Sequence, residues 1–430
     1  MSNAINYDAL DVADEAEVVV VGGGPGGLCA AVAAAEEGAD VLLIERYGFL
    51  GGMATAGLVN PFMPWVAGGK PIIRGLFERI TGRLDEYGGW GGPRQPSAFD
   101  EEMFKFVAED FCAEAGVRLQ LHTMLADVDT ADEAITSIAT LSKSGLRQVH
   151  GEIFIDGTGD GDLAAWAGAE VEIGREEDGH CQPMTLCFRM MNVNIEAMPS
   201  RQEINELYDA AKERGEIDNP RENVLKFFTT HDRQVHFNTT RVVMHDATNA
   251  EDMTDAELIG RRQVRQMVRF LVDHVPGFEE AWLEEMAPQI GIRESRRIMG
   301  DYLLTVDDVL EAHKFDDGIA RGSYSVDIHN PAGTGTVIKR LPPGEAYDVP
   351  YRCITPRGFD NLLIAARCIS CDHAAHSSMR VMPIVMAIGE AAGCAAEMAL
   401  EEADVRSVDV DALREKLVDR GASIYGLSEE

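Results

Sequence analysis

Two histidines three residues apart, His373 and His376, stand just ahead of Arg380 in the run CISCDHAAHSSMRVMP. An imidazole near its ordinary pKa of about 6.5 can act as base toward an alcohol or amine and as acid toward an alkene. A structural histidine bonded to backbone fits either position equally well. Arg380 offers a planar donor for an anion. His329, within VDIHNP, is a second-tier candidate for the same proton chemistry. Cys368 and Cys371 form C-x-x-C, the spacing of a redox dithiol. A basic cluster, GIRESRR at 291–297, stands out in an acidic chain. It suits either salt bridging to nearby acids or an anion clamp.

These groups need a scaffold, and the stretch 17–53 supplies its start. Four valines, Val18 to Val21, suit a strand buried on both faces of a parallel sheet. Gly22, Gly24 and Gly27 then give G-x-G-x-x-G where the strand must turn into an alanine-rich helix, 28–37. The first glycine permits the turn, the second lets a pyrophosphate approach the backbone, and the third lets helix and strand pack closely. The helix N-terminus faces the phosphates. A second apolar strand, 41–44, ends in Glu45, placed to accept from an adenosine ribose 2′-OH. That hydroxyl must be free, which disfavours NADP here. The stretch predicts an adenine-dinucleotide site.

Along the chain, residues 1–16 read as a loosely held polar lead-in, and 54–71 as a loop packed over the cofactor. Helices are predicted at 72–87 and at 99–115, the latter with Asp100 as N-cap and Gly116 just past its end. A strand at 117–128 follows, and 135–155 reads as a β-excursion returning to the sheet. The run IFIDGTGDGDLA, 153–164, is a third strand–turn–helix junction. Its acidic turn lacks the ligand order and the twelfth-position Glu of a calcium loop, so no metal is expected. From about 171 to 350 the βα rhythm disappears. Helical segments such as 201–214 alternate there with β-like runs such as 237–244. The last buried strand, 361–366, runs into the candidate histidines and then a small-residue helix, 384–400, with Pro383 at its first turn.

Acids outnumber bases 73 to 38, for a formal charge of −35, and only 8 of the basic residues are Lys. Such a field repels nucleic acid and anionic membranes. Without an h-region or an apolar run near ~20 residues, neither secretion nor a membrane span is signalled. Eight dispersed cysteines do not make a disulfide framework. A cytoplasmic protein is expected, and the acid excess with few lysines suits a high-salt cytoplasm.

Taken together, GGGPGG, ER-x-G-x-LGG, IDGTGDGDLA, GIRESRRIMGDY, DIHNP, VPYR and NLLIAARCIS…RVMP resemble the FAD-dependent oxidoreductase family of two-domain, glutathione-reductase-type flavoproteins. The match is scattered from residue 17 to about 400. The resemblance implies an α/β fold with a Rossmann-like FAD-binding domain and an inserted α+β substrate domain. The FAD-binding domain would comprise 1–175 and 350–430, and the inserted domain 176–349. It implies FAD as cofactor, with Pro25, Gly26 and Arg46 beside the glycine turn. Gly51, Gly52 and Met53 would lie toward the flavin, and Leu125 near the adenine. Gly159, Asp160 and Arg367 would come from the third junction and the last strand. Val381 and Met382 would start the final helix, whose N–H groups would face the flavin N1/O2 edge.

The reaction implied is hydride transfer between flavin N5 and a C–H of an alcohol, amine or CH–CH substrate. His373 is favoured as acid or base because the family pattern carries a histidine there. Arg380 would stabilise the reduced flavin or a substrate anion. A disulfide reductase using Cys368 and Cys371 is the alternative, as is an FAD-carrying electron-transfer subunit. No second G-x-G-x-x-G lies between 170 and 350, which argues against a reductase with its own NAD domain. A small-molecule substrate is expected, and a redox partner or homo-oligomer stays open.

Overall fold

The computed structural model describes residues 5–426. Strand β1 (Val12–Val21) starts the main sheet, and its last four residues, all valine, are buried. Residues 12–16, expected in a loose lead-in, are part of this strand, because residues 148–151 pair with them in parallel. Residues 1–4 of that lead-in lie outside the described residues. Helix α1 (Pro25–Glu36) follows the glycine turn, and β2 (Val41–Ile44) lies parallel to β1. Helices α2 (Leu76–Glu86) and α3 (Glu101–Ala115) fall close to their predicted spans. The Asp100 side chain caps α3 by accepting from the N–H groups of Glu102 and Met103, and Gly116 ends it at φ +82°.

The predicted strand at 117–128 divides into β3 (Arg118–Gln120) and β4 (Met124–Ala131). Between them His122 takes φ +53°, and His122 and Thr123 donate to the carbonyls of Tyr47 and Glu45. Those bonds pin the break against the end of β2. The excursion is a hairpin, β5 (Ala134–Ser142) and β6 (Gly145–Asp156), running into α4 (Asp162–Ala167). The sheet order is β3–β2–β1–β6–β5–β4.

A second apolar core gathers residues 184–292 together with Leu58. It is built on β7 (Phe188–Met191), α5 (Arg201–Glu213), β8 (Lys226–Phe228), β9 (Val235–Phe237), α6 (Ala250–His274) and β10 (Trp282–Met286). The four strands form an antiparallel sheet in the order β8–β9–β7–β10. Phe188 and Phe237, opposite each other, stack with centroids 4.9 Å apart. The expected β-run at 237–244 stops at Phe237. Beyond it, Thr239 and Thr240 hydroxyls accept from the N–H groups of Leu225 and Leu186, so side chains replace part of the ladder before Val242 pairs with Met184 through the backbone.

Residues from Ile298 to Tyr351 pack with the first core, although the sequence suggested one inserted unit reaching 349. They include the hairpin β11 (Val326–His329) and β12 (Thr336–Lys339). Strand β13 (Leu362–Ile364) returns to the main sheet parallel to β6. Two helices follow, α7 (His373–Met379) and α8 (Met382–Ala399). By length and composition α8 could cross a membrane, but most of it is buried inside the fold. It packs on α1 backbone to backbone: a Cβ on Gly389 would lie 2.1 Å from the Gly26 carbonyl oxygen. The register pairs Val21 with Ile44 and Asp156, and Ile364 with Asp156. The parallel strands therefore end at one edge, where ligands of open α/β sheets bind.

Candidate functional site

A cavity of about 820 Å³ opens at that edge. Gly22 and Gly27 make the turn tight. At Gly22, with φ +99°, an added Cβ would lie 2.5 Å from the Gly157 oxygen. At Gly27 it would lie 1.9 Å from the Gly22 oxygen, and Gly27 stays behind the cavity wall. Gly24 is different. It lines the cavity, and an added Cβ would meet no protein atom nearer than 3.8 Å. The protein itself leaves room there, so the bare backbone at the start of α1 is open to the cavity. Pro25 and Gly26 line the cavity beside it. This cradle fits a pyrophosphate.

Glu45 is buried and ties the turn to β2. Its Oε2 accepts from the Gly23 N–H at 2.7 Å and its Oε1 from the Tyr47 N–H at 2.9 Å. Burial raises its carboxyl pKa, opposed by those N–H groups and by Arg46. Each oxygen keeps a lone pair for a ribose hydroxyl. Arg46, also on the wall, donates to Gln289 Oε1 at 2.6 Å. Leu125 lies on the wall as well.

Gly52 and Met53 line the cavity, whereas Gly51 does not. The Gly51 N–H donates to the Gly23 carbonyl at 2.8 Å, bracing the turn from behind. At the third junction Gly159 and Asp160 reach the wall with Arg367. Asp160 Oδ1 accepts from Arg367 Nη2 and Ser295 Oγ, each at 2.5 Å. Val381 and Met382 bring the N-terminus of α8 to the same space.

The proton-handling candidates divide. Arg380 and His329 line the cavity, and His373 and His376 do not. His373 Nδ1 lies 2.8 Å from Glu294 Oε1, and its Nε2 is buried without a partner among the described residues. His376 is fully buried, with neither ring nitrogen hydrogen-bonded among the described residues. Burial pushes its pKa well below the ordinary value, and Arg380, Arg297, Arg367 and His373 push the same way. The ring is therefore neutral near pH 7.

That contribution to stability is present in full above the unfolded value of about 6.5. It declines as pH falls below that value, by about 1.4 kcal/mol per pH unit, until the folded group itself protonates. His376→Leu is expected to flatten the acid side of the curve of Tm against pH. An unchanged slope between about pH 6.5 and 5 contradicts this.

Cys368 and Cys371 are free, fully buried thiols off the cavity wall. Burial pushes both pKa values up, which disfavours a thiolate. This placement counts against the dithiol alternative. Within the basic cluster, Arg296 pairs with Asp162 at 2.7 Å and Arg297 with Glu294 at 2.7 Å. Arg293 alone of the three arginines lines the cavity.

His329 belongs to a network that residue types alone did not reveal. Its Nδ1 faces Arg221 Nη1 at 3.3 Å and Arg241 Nη2 at 3.1 Å. Two obligate donors at one nitrogen make Nδ1 the acceptor and put the ring proton on Nε2. Nε2 lies 3.5 Å from Asp327 Oδ2, which accepts from Tyr324 Oη at 2.9 Å. Burial pushes the His329 pKa down to about 3, and Arg293 adds to this against the Asp327 carboxylate. Burial alone would raise the Asp327 carboxyl, but the hydrogen bond and charge of His329 and the charge of Arg380 hold it well below the usual range. Tyr324, Asp327 and Arg221 all line the cavity. The spacing D-x-H on a strand places Asp327 and His329 on one face, a signal available in the sequence. Arg221, in a polar loop, carried none.

Comparison with the curated proteins gives no match. Among solved structures, the chain is similar to a geranylgeranyl bacteriochlorophyll reductase-like protein from Thermoplasma acidophilum, at 15% identity and TM-score 0.47, covering 95% of this chain and 84% of that one. It is also similar to a flavin-dependent brominase, at 12% identity and TM-score 0.49, over 94% and 84%. L-Proline dehydrogenase from P. horikoshii matches at 11% identity and TM-score 0.45, over 95% and 99%. The FAD dependent oxidoreductase family matches residues 17–417, nearly the whole chain, and the chain belongs to that family, with FAD as its cofactor.

Proposed function

We propose that the chain exchanges a hydride between FAD and a carbon of a small organic substrate, an alcohol, amine or CH–CH group. FAD supplies the hydride acceptor or donor when bound. The chain's own residues bind the substrate and hold the accompanying proton. The observation that carries this reading is the Tyr324–Asp327–His329 network on the wall of the cavity that holds the glycine turn.

Tyr324 Oη donates to Asp327 Oδ2 at 2.9 Å, so a substrate proton can arrive at Oη as the phenolic proton moves to the carboxylate. His329 is a positioning residue in this scheme. Its Nε2–H faces Asp327, while Arg221 and Arg241 fix the other side of its ring. The acid–base role first considered for His373 passes to Tyr324 and Asp327, since His373 is off the cavity wall. Arg380 keeps its role toward an anion.

The test is an anaerobic titration of the FAD-loaded protein, followed in the visible band of the oxidised flavin. One class of alcohol, amine or saturated acid is expected to bleach the band, and dithiothreitol is not. Bleaching by dithiothreitol alone, with a thiolate charge-transfer band, would restore the dithiol reading. Failure of every substrate class, together with co-purification of a redox partner, would favour an electron-transfer subunit.

A further inference from the structure

Arg293 and Arg380 line the cavity, and neither forms an ion pair among the described residues, although the Asp327 carboxylate is close enough for its charge to act on Arg380. Arg293 Nη1 donates to Pro183 O at 2.7 Å and Thr185 Oγ1 at 2.5 Å, and Nη2 donates to Asn238 Oδ1 at 2.9 Å. All three acceptors are neutral, and a guanidinium carries five N–H donors. Arg380 has a long contact of 3.5 Å to Gln182 Oε1, and its Nε is buried without a partner among the described residues. Arg201 and Arg221 line the same space. The acids on the wall are Asp327, engaged by Tyr324 and His329, Glu222, whose carboxylate lies 3.0 Å from Arg241, and, around the glycine turn and the third junction, Glu45, Asp160 and Asp162.

In a chain of formal charge −35, the part of the wall away from the glycine turn carries Arg201, Arg221, Arg293 and Arg380 against Asp327 and Glu222. Burial pushes the Arg293 pKa down to about 9, and the charges of Arg380 and Arg221 push it further in the same direction. Burial likewise lowers Arg380. A guanidinium does not shed its proton in a protein, so an arriving anion relieves that repulsion.

The glycine turn and the start of α1 already provide for the cofactor pyrophosphate. Arg293, by contrast, is held by Thr185 and Asn238, from the stretch that forms the second core. We infer that the substrate carries a small oxyanion group, a carboxylate or a phosphate, seated between the Arg293 and Arg380 guanidinium groups beside Asp327. This inference rests on reading the cavity as a substrate site. Tyr324 lines the same cavity, and the charges of both arginines act on its hydroxyl.

The test measures binding, not turnover. The FAD-loaded protein is titrated with small carboxylates, with inorganic phosphate and with neutral amides of matching size, read by perturbation of the flavin spectrum and by calorimetry. Carboxylates or phosphate are expected to bind about tenfold or more tighter than the amides. Which of the two binds names the source of the oxyanion. Arg293→Gln is expected to weaken that binding about 10- to 100-fold, with FAD content unchanged and Arg293→Lys partly restoring it. Equal binding of amides and oxyanions, or undiminished binding to both Arg293→Gln and Arg380→Gln, overturns the inference. Reduction of the flavin by a neutral substrate with no oxyanion binding would sink the clamp and leave the hydride reading standing. Oxyanion binding without reduction by any substrate would do the opposite.

Discussion

Gly27→Ala is expected to yield no folded protein, whereas Gly24→Ala is expected to fold and to lose FAD. The two glycines stand three residues apart in one turn, yet their surroundings differ. A Cβ at residue 27 would lie 1.9 Å from the Gly22 oxygen and 3.3 Å from the Gly157 Cα. Neither atom belongs to a flexible side chain, so α1 would have to move off the sheet. Overpacking of that kind, at the contact of α1 with both turns, costs about 4 kcal/mol or more, close to the whole stability of many domains.

At residue 24 the nearest protein atom to an added Cβ is 3.8 Å away, and the residue is the N-cap of α1. Alanine there costs about 1 kcal/mol through the weaker cap. Its methyl group also occupies the space where a pyrophosphate must approach the backbone. FAD affinity is expected to fall about 100-fold, equivalent to about 2.7 kcal/mol. FAD content after gel filtration and the Tm of the cofactor-free protein separate the two effects. Wild-type FAD retention by Gly24→Ala would contradict the pyrophosphate assignment. Wild-type Tm for Gly27→Ala would contradict the packing argument.

The second large effect is expected at Asp327. Asp327→Asn should lower kcat about 10²- to 10⁴-fold, the range lost with a positioned proton-transfer group. The neutral amide cannot take the Tyr324 proton. It also leaves the His329 Nε2–H without its anionic partner, in a cavity already rich in arginine. FAD content should not change, because Asp327 lies on the β11–β12 hairpin and the glycine cradle on the main sheet. A variant with wild-type kcat removes Asp327 from the proton path. A variant that loses FAD makes its role structural.

The strand–turn–helix–strand unit that frames the cavity was legible because its signals are local. Four valines, the glycine spacing and Glu45 follow one another within a single strand–turn–helix–strand, and each is needed by its immediate neighbours. Asp100 and Gly116 likewise mark the ends of α3 by capping chemistry that acts over a few residues. The strand at residues 12–16 leaves no local signal, for the opposite reason. Val12 to Ala16 are held in a strand by Gln148 to Gly151, more than a hundred residues away.

The same holds for the second core, where β7 finds its partners in β9 and β10 and where threonine hydroxyls replace part of a ladder. Neither feature leaves a periodic trace. For the chemistry, nearness in sequence misled. His373 opens α7 and Arg380 closes it, and seven residues of helix separate two side chains by about 10 Å along the axis. Asp327 and His329, two residues apart on a strand, share a face instead. Tyr324, Arg221 and Arg293 join them only through the fold.

In the proposed reaction a substrate C–H bond breaks beside this proton network, with its hydride passing to FAD. The most direct test mixes the FAD-loaded protein anaerobically with its reducing substrate, once with hydrogen and once with deuterium on the reacting carbon. Deuterium is expected to slow bleaching of the flavin band several-fold, and Asp327→Asn to slow both reactions. Bleaching at the same rate with either isotope in a single-turnover experiment, and unaffected by Asp327→Asn, would contradict it.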